Sequence, residues 1–270
     1  STAGSSNNNY FNADGGTYVF WNWKAGTAFS NDASSTSVGT IDSAGSVNTD
    51  AGFSITTFTG TGSAGSVAHG LGAIPKFLVV KSRSNANGWI VYHGSLGAGK
   101  GISLNLTDAA FATGSRWNST EPTSTVFTLG SAADVNRSGG THVCYAFAEK
   151  KGYSKFGSYT GNGNADGSFV FLGFKPAFII IKKSSNAGNN WYMWDNKRNT
   201  SNLTNKYLNP DLTSAEGTAN YGYIDFLSNG FKTRATGNTD EINQSGHTFI
   251  YMAFAENPFV SSTGVPGTAK

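Results

Sequence analysis

Large aromatic side chains carry most of the chemistry this sequence offers. Trp89 and Tyr92 in one stretch, and Trp191, Tyr192 and Trp194 in another, stand near Asn and Asp residues. Side chains alternate faces along an extended strand, so Trp191 and Met193 project to one side and Tyr192 and Trp194 to the other. One set must fill a core; the other is free to stack on sugar rings or to pack against a second subunit. Trp89, Tyr92, Trp191 and Trp194 are therefore the candidate ligand-binding residues, as carbohydrate-stacking rings, with a core or interface role as the alternative.

Other constellations are weaker. Gly60-Thr61-Gly62-Ser63-Ala64-Gly65 fits a dinucleotide fingerprint, which works only where a strand feeds a helix. The following Ser66-Val67-Ala68-His69-Gly70 has no helical character. Gly94–Gly101 nearly spells a phosphate-binding loop, but Gly101 stands where the magnesium-binding hydroxyl belongs. Asn162, Asn164 and Asp166 alternate like calcium ligands, yet the twelfth position of such a loop falls on Gly173 instead of Glu. His69, His93, His142 and His247 are too scattered for zinc, and Cys144, the one cysteine, sits in an apolar run as a small buried hydrophobe. Glu149 and Glu256 end the same Ala-Phe-Ala phrase twice, which reads as a strand terminus bonding backbone or Lys, not as a catalytic pair. The sequence assigns no catalytic residue, no metal and no cofactor, and no enzymatic activity is expected.

The elements that must position these residues are strands. Of 270 residues, 35 are Gly and 13% are charged, about half the ordinary charged share. Glycine without a three-residue period excludes collagen, and 13% aromatics in alternating apolar runs argues against disorder. Nineteen basic against 16 acidic residues give +3 with no block of one sign, so a nucleic-acid or anionic-membrane footprint is missing. No apolar run approaches the ~18 residues of a membrane span. The opening Ser1-Thr2-Ala3-Gly4 has neither an initiator Met nor the regions of a signal peptide, so a fragment or processed product numbered from inside a longer protein is expected.

The chain also repeats itself. Phe58-Thr59-Gly60-Thr61-Gly62 recurs as Tyr159-Thr160-Gly161-Asn162-Gly163, and Pro75-Lys76-Phe77-Leu78-Val79-Val80-Lys81 as Pro176-Ala177-Phe178-Ile179-Ile180-Ile181-Lys182. Phe127 answers Phe231, and Ala146-Phe147-Ala148-Glu149 returns as Ala253-Phe254-Ala255-Glu256. The offset grows from 101 (Phe58 to Tyr159) to 107 (Ala146 to Ala253), as loops diverge over a retained framework. Gly15–Trp23 matches Gly139–Phe147 as a third, partial copy. The expected organisation is the final strand of a preceding module at 1–25, a linker at 26–51, modules at 52–152 and 153–259, and a tail at 260–270. The runs Phe77–Val80 and Phe178–Ile181 predict fully buried central strands, and Thr107–Thr113 is the one weak helical stretch. The fold class is all-β: tandem antiparallel β-sandwich modules of about eight strands each.

These phrases resemble a family: the carboxy-terminal modules of virion structural proteins from marine bacteriophages, such as those infecting cyanobacteria. The resemblance rests on Thr17–Gly26, Asn48–Ile55, His69-Gly70-Leu71-Gly72, Phe147–Gly163, Trp191–Asp195 and Asp225–Lys232, and Phe259–Pro266 looks like the family's terminus. It implies a tail fibre or other surface appendage, exposed on the virion and produced in a bacterial host, and a homo-oligomer with a trimer favoured. Implied partners are other virion proteins and a host-surface polysaccharide or outer-membrane receptor, with no nucleic acid. Capsid decoration and a carbohydrate-binding module are the alternatives.

Overall fold

The computed structural model describes residues 14–218, 223–235 and 242–258. In the first half, β1 (Thr27–Asn31), the one-turn α1 (Ala33–Thr36) and β2 (Ser43–Asn48) lead into β3 (Phe53–Thr59) and β4 (Gly65–Ala68). Then come β5 (Pro75–Ser82), β6 (Trp89–His93), β7 (Lys100–Ser103), β8 (Phe111–Ala112), α2 (Gly114–Trp117), β9 (Val126–Leu129), α3 (Ala133–Asn136) and β10 (Thr141–Ala148). They form one antiparallel sheet, β1-β2-β3-β10-β5-β6-β7-β8, and a separate β4–β9 ladder.

The second half holds β11 (Ser154–Thr160), β12 (Phe169–Phe171), β13 (Pro176–Lys183), β14 (Trp191–Asp195), β15 (Lys206–Tyr207), β16 (Gly217–Thr218), β17 (Ile224–Leu227), β18 (Gly230–Thr233) and β19 (Thr248–Ala255). Its main sheet runs β11-β19-β13-β14, the strand order of β3-β10-β5-β6, and β12-β18-β17 stands where the first half has β4–β9. Register agrees as well: Val67 opposes Phe127, and Val170 opposes Phe231. Pro75 and Pro176 each open a central strand beside a register shift, where a missing N–H costs no ladder bond.

Three apolar clusters separate four layers. One lies between β4–β9 and the eight-stranded sheet and includes Phe58, Leu78, Val80, Phe127 and Leu129. Another lies between β11-β19-β13-β14 and β12-β18-β17 and includes Ile179, Ile181, Phe226, Phe231 and Phe249. The third joins the two main sheets face to face through Phe53, Phe77, Phe147, Phe156, Phe178 and Phe254. This explains why β5 and β13 are apolar without alternation: both of their faces are covered. The halves thus share a core, with Phe77 and Phe156 stacked at 6.2 Å and Phe147 edge-on to Phe254 at 5.9 Å.

The structure corrects three expectations. The stretch 26–51 is not a linker. β1 and β2 extend the sheet beyond β3, and Gly45 makes this possible because a Cβ there would stand 1.9 Å from the Ile55 carbonyl oxygen. Residues 17–26 form no strand; instead Trp23 inserts its ring among Phe53, Phe147, Phe178 and Phe254, and Trp21 against Phe178. Thr107–Thr113 is not helical: its backbone bonds outward, with Ala110 N–H donating to the Ser184 carbonyl at 2.8 Å. Residues 1–13 and the expected tail at 260–270 lie outside the described residues.

Candidate functional site

The four stacking candidates do not form one site. The alternation holds, with Trp191 in the core between halves and Tyr192 and Trp194 in the core beneath the main sheet of the second half. Both faces of β14 are covered, so neither tryptophan presents a ring face to solvent; Trp191 is 1% and Trp194 0% exposed. The Trp191 indole N–H donates to the Ser103 carbonyl at 2.8 Å, which ties the halves together. Tyr92 is buried against Trp117, and its hydroxyl donates to Glu121, whose other oxygen accepts from Ala98 N–H at 2.6 Å. Trp89 is half-buried and stacked on Tyr145 at 6.4 Å. The sugar-stacking role is therefore corrected for Tyr92, Trp191 and Trp194, because sheets on both sides enclose them.

Two residues that sequence reasoning passed over organise the glycine loops. Asn136 is fully buried at the end of α3; its amide donates to the Ser63 and Gly130 carbonyls at 2.7 and 2.8 Å, and its oxygen accepts from Thr61 N–H at 2.9 Å. Asn243 repeats this, donating to Asn164 and Ala235 carbonyls at 2.9 and 3.1 Å and accepting from Asn162 N–H at 3.1 Å. Their spacing of 107 was the available signal, since it equals the offset of the neighbouring Ala146 and Ala253. Gly62 and Gly163 sit above them in left-handed conformation, at φ +75 and +67. We expect Asn136→Ala to strip three buried bonds and lower stability by about 3 kcal/mol, measured by urea denaturation. A loss below about 0.5 kcal/mol, the range of an ordinary surface change, would refute the anchoring role.

The motif-like loops have local explanations. After Gly60–Gly65 the chain continues as strand β4. In the calcium-like loop, Asn162 and Asn164 accept from the N–H groups two residues on, at 3.0 and 2.9 Å, and Asp166 pairs with Lys232. Glu256 pairs with Lys175 at 2.8 Å, whereas Glu149 accepts from Phe156 N–H at 3.4 Å on the free side of β11. Ser185 lies 3.0 Å from His247, a pairing that resembles nucleophile and base. Yet Ser185 accepts from Thr248 N–H just as Ser84 accepts from Thr141 N–H, both at 3.1 Å, so the serine serves the strand start in each half.

His69 and His93 are 0% and 1% exposed, and in both Nδ1 accepts from the N–H two residues on while Nε2 donates to a distant carbonyl. The partners of Nε2 are Thr123 and, across the halves, Tyr251. Burial lowers both histidines to about 4. Cys144 is fully buried, and burial pushes its thiol well above the ordinary range. An aromatic disulfide reagent is expected to leave Cys144 unlabelled in the native protein and to label it at the rate of unfolding; fast stoichiometric labelling under native conditions would contradict its placement.

A polar depression of about 350 Å³ lies across the strand ends of β1, β2, β3 and β10, lined by Asp32, Asp42, Thr59, Arg83 and Thr141 among others. Its carboxylates already serve α1: Asp32 accepts from Ser34 and Ser35 N–H groups at 3.0 and 3.2 Å, and Asp42 from Ala33 N–H at 2.9 Å. Hydrogen bonds around Asp32 hold its carboxyl below the usual range.

Fold and contacts together define an all-β protein of stacked antiparallel sheets, in which the repeated polar side chains hold loops and strand ends in place. A family model described as Domain of unknown function (DUF7483) matches residues 1–258, and the chain belongs to this family. Neither the curated proteins nor the solved structures give a match.

Proposed function

We propose that this chain is a structural module of a virion, the distal part of a phage tail fibre or similar surface appendage, and that it contributes to host-surface attachment rather than to catalysis. The observation that carries the reading is the aromatic core shared between the two main sheets. It joins two similar halves through one packed apolar core, the continuity that a mechanically stressed appendage requires. The sequence phrases resembling phage virion modules supply the biological setting. On this reading the chain works outside the cell as a homo-oligomer, a trimer by preference, with other virion proteins and a host polysaccharide or outer-membrane receptor as partners.

Two measurements test it. Purified chain added in excess should block adsorption of the phage that encodes it, and an antibody against the chain should label the tail. Label spread over the head would favour capsid decoration instead. A monomeric chain that neither binds cells nor blocks adsorption would remove the attachment role.

A further inference from the structure

A crevice of about 580 Å³ opens on the first half, where β6, β7 and β8 meet α2, α3 and the segment 104–110. Ile90, Leu106 and Phe111 form its apolar wall, and Leu106 is 46% exposed. Asp108, Arg116 and Asp134 form its polar side. The Arg116 guanidinium lies 4.7 Å from the centre of the Phe111 ring and gives both Nε and Nη2 to one oxygen of Asp134, Oδ2, at 2.8 and 2.7 Å. The other oxygen, Oδ1, is buried without a partner among the described residues, although buried polar atoms are nearly always paired. The wall is also fixed from outside: Ala110 N–H donates to Ser184 and Gly188 N–H to the Thr107 carbonyl, at 2.8 and 2.9 Å, both across the two halves. A site held in this way has little ordering left to do on binding.

We propose that this crevice binds a neutral saccharide unit. Its volume falls within the roughly 300–1,000 Å³ of small-molecule sites, which pair an apolar wall with a few convergent polar groups. A pyranose ring offers a C–H face to Leu106 and the rim of Phe111 that Arg116 leaves uncovered, and hydroxyls to the Asp108 carboxylate and the remaining Arg116 donors, while Asp134 holds Arg116 in place. Among the lining residues two carboxylates stand against one guanidinium, a balance that favours a neutral sugar over an acidic sugar or a phosphate. A purely apolar ligand would desolvate the carboxylates with nothing in return. The inference rests on the attachment reading and deepens it by naming the ligand class.

The test uses the whole chain with glucose, galactose, mannose, rhamnose, N-acetylglucosamine and glucuronate, read by saturation-transfer NMR and calorimetry. At least one neutral sugar should bind in the millimolar range, and glucuronate should not. Asp108→Asn and Leu106→Ser change exposed side chains, so their melting curves should match the parent while affinity falls about tenfold. Absence of binding by every neutral sugar, unchanged affinity in both variants, or preference for glucuronate would each overturn the proposal. If the chain blocks adsorption while all sugars fail, the crevice assignment falls and attachment stands. Sugar binding without any block of adsorption retains the crevice and removes attachment.

Discussion

Acidification from neutral pH to about 4 is expected to destabilise the protein steeply, with most of the loss between pH 6.5 and 4. His69 and His93 are buried and neutral, and each uses Nδ1 as an acceptor from a backbone N–H. A proton on Nδ1 would face that N–H donor inside the protein, where the imidazole is buried. The unfolded chain takes up these protons near 6.5 while the folded chain resists until about 4, so the unfolded state binds more protons throughout the interval and stability falls as pH falls. Each histidine contributes about 3 kcal/mol that is fully present above 6.5 and gone below about 4. His142, also lowered mainly by burial, acts in the same direction. The pair alone amounts to a large share of the roughly 5–15 kcal/mol that holds a typical domain. Urea titrations across this range provide the measurement, with His93→Gln as the comparison because it keeps a donor for the Tyr251 carbonyl and no longer titrates. A flat stability profile from pH 7 to 4, or an unchanged slope in the variant, would show that these histidines are hydrated in solution.

Truncating Phe254 to Ala is the second change expected to act strongly. Its ring is 6% exposed and meets Trp23 at 5.3 Å, Tyr153 at 5.5 Å, Phe147 at 5.9 Å and Phe156 at 6.2 Å, so groups from both halves and from the amino-terminal segment converge on it. Removal of a buried phenyl ring costs about 3–5 kcal/mol through lost transfer energy and a residual cavity. Because this ring sits between the main sheets and not within either half, the loss should appear in a single unfolding transition that includes the first half. Two separate transitions in the parent chain, with only the later-numbered half shifted by Phe254→Ala, would mean that the halves fold independently and that the seam is weak.

How much of this was legible beforehand follows from what each signal measures. β-branched runs bounded by Pro and Gly mark strands by local sterics, and the face alternation of Trp191 through Trp194 follows from pleat geometry. The unbroken apolar runs of β5 and β13 also announced strands covered on both sides. The stretch 26–51 hid its strands because small residues such as Ser, Ala and Gly carry little apolar periodicity. Their pairing with β3 is made by backbone groups and by the close approach that Gly45 allows. Asn136 and Asn243 were hidden for a related reason: their role is to bond backbone carbonyls far away in the chain, 73 residues away for Ser63 and 79 for Asn164.

The sequence by itself determined the all-β class, the internal similarity and the inward or outward alternation of each aromatic strand, because these depend on the chain's local period and on comparison of the chain with itself. Tertiary structure alone decided what covers each face. Alternation shows that Trp191 and Trp194 point apart; only the arrival of β12-β18-β17 on one side and of the eight-stranded sheet on the other turns both into core. Likewise, Leu106, Phe111 and Arg116 lie close together in sequence but show no common face there, and they line one crevice with Asp134, 18 residues beyond Arg116, only where the fold and the bonds from Thr107 and Ala110 to the second half place them.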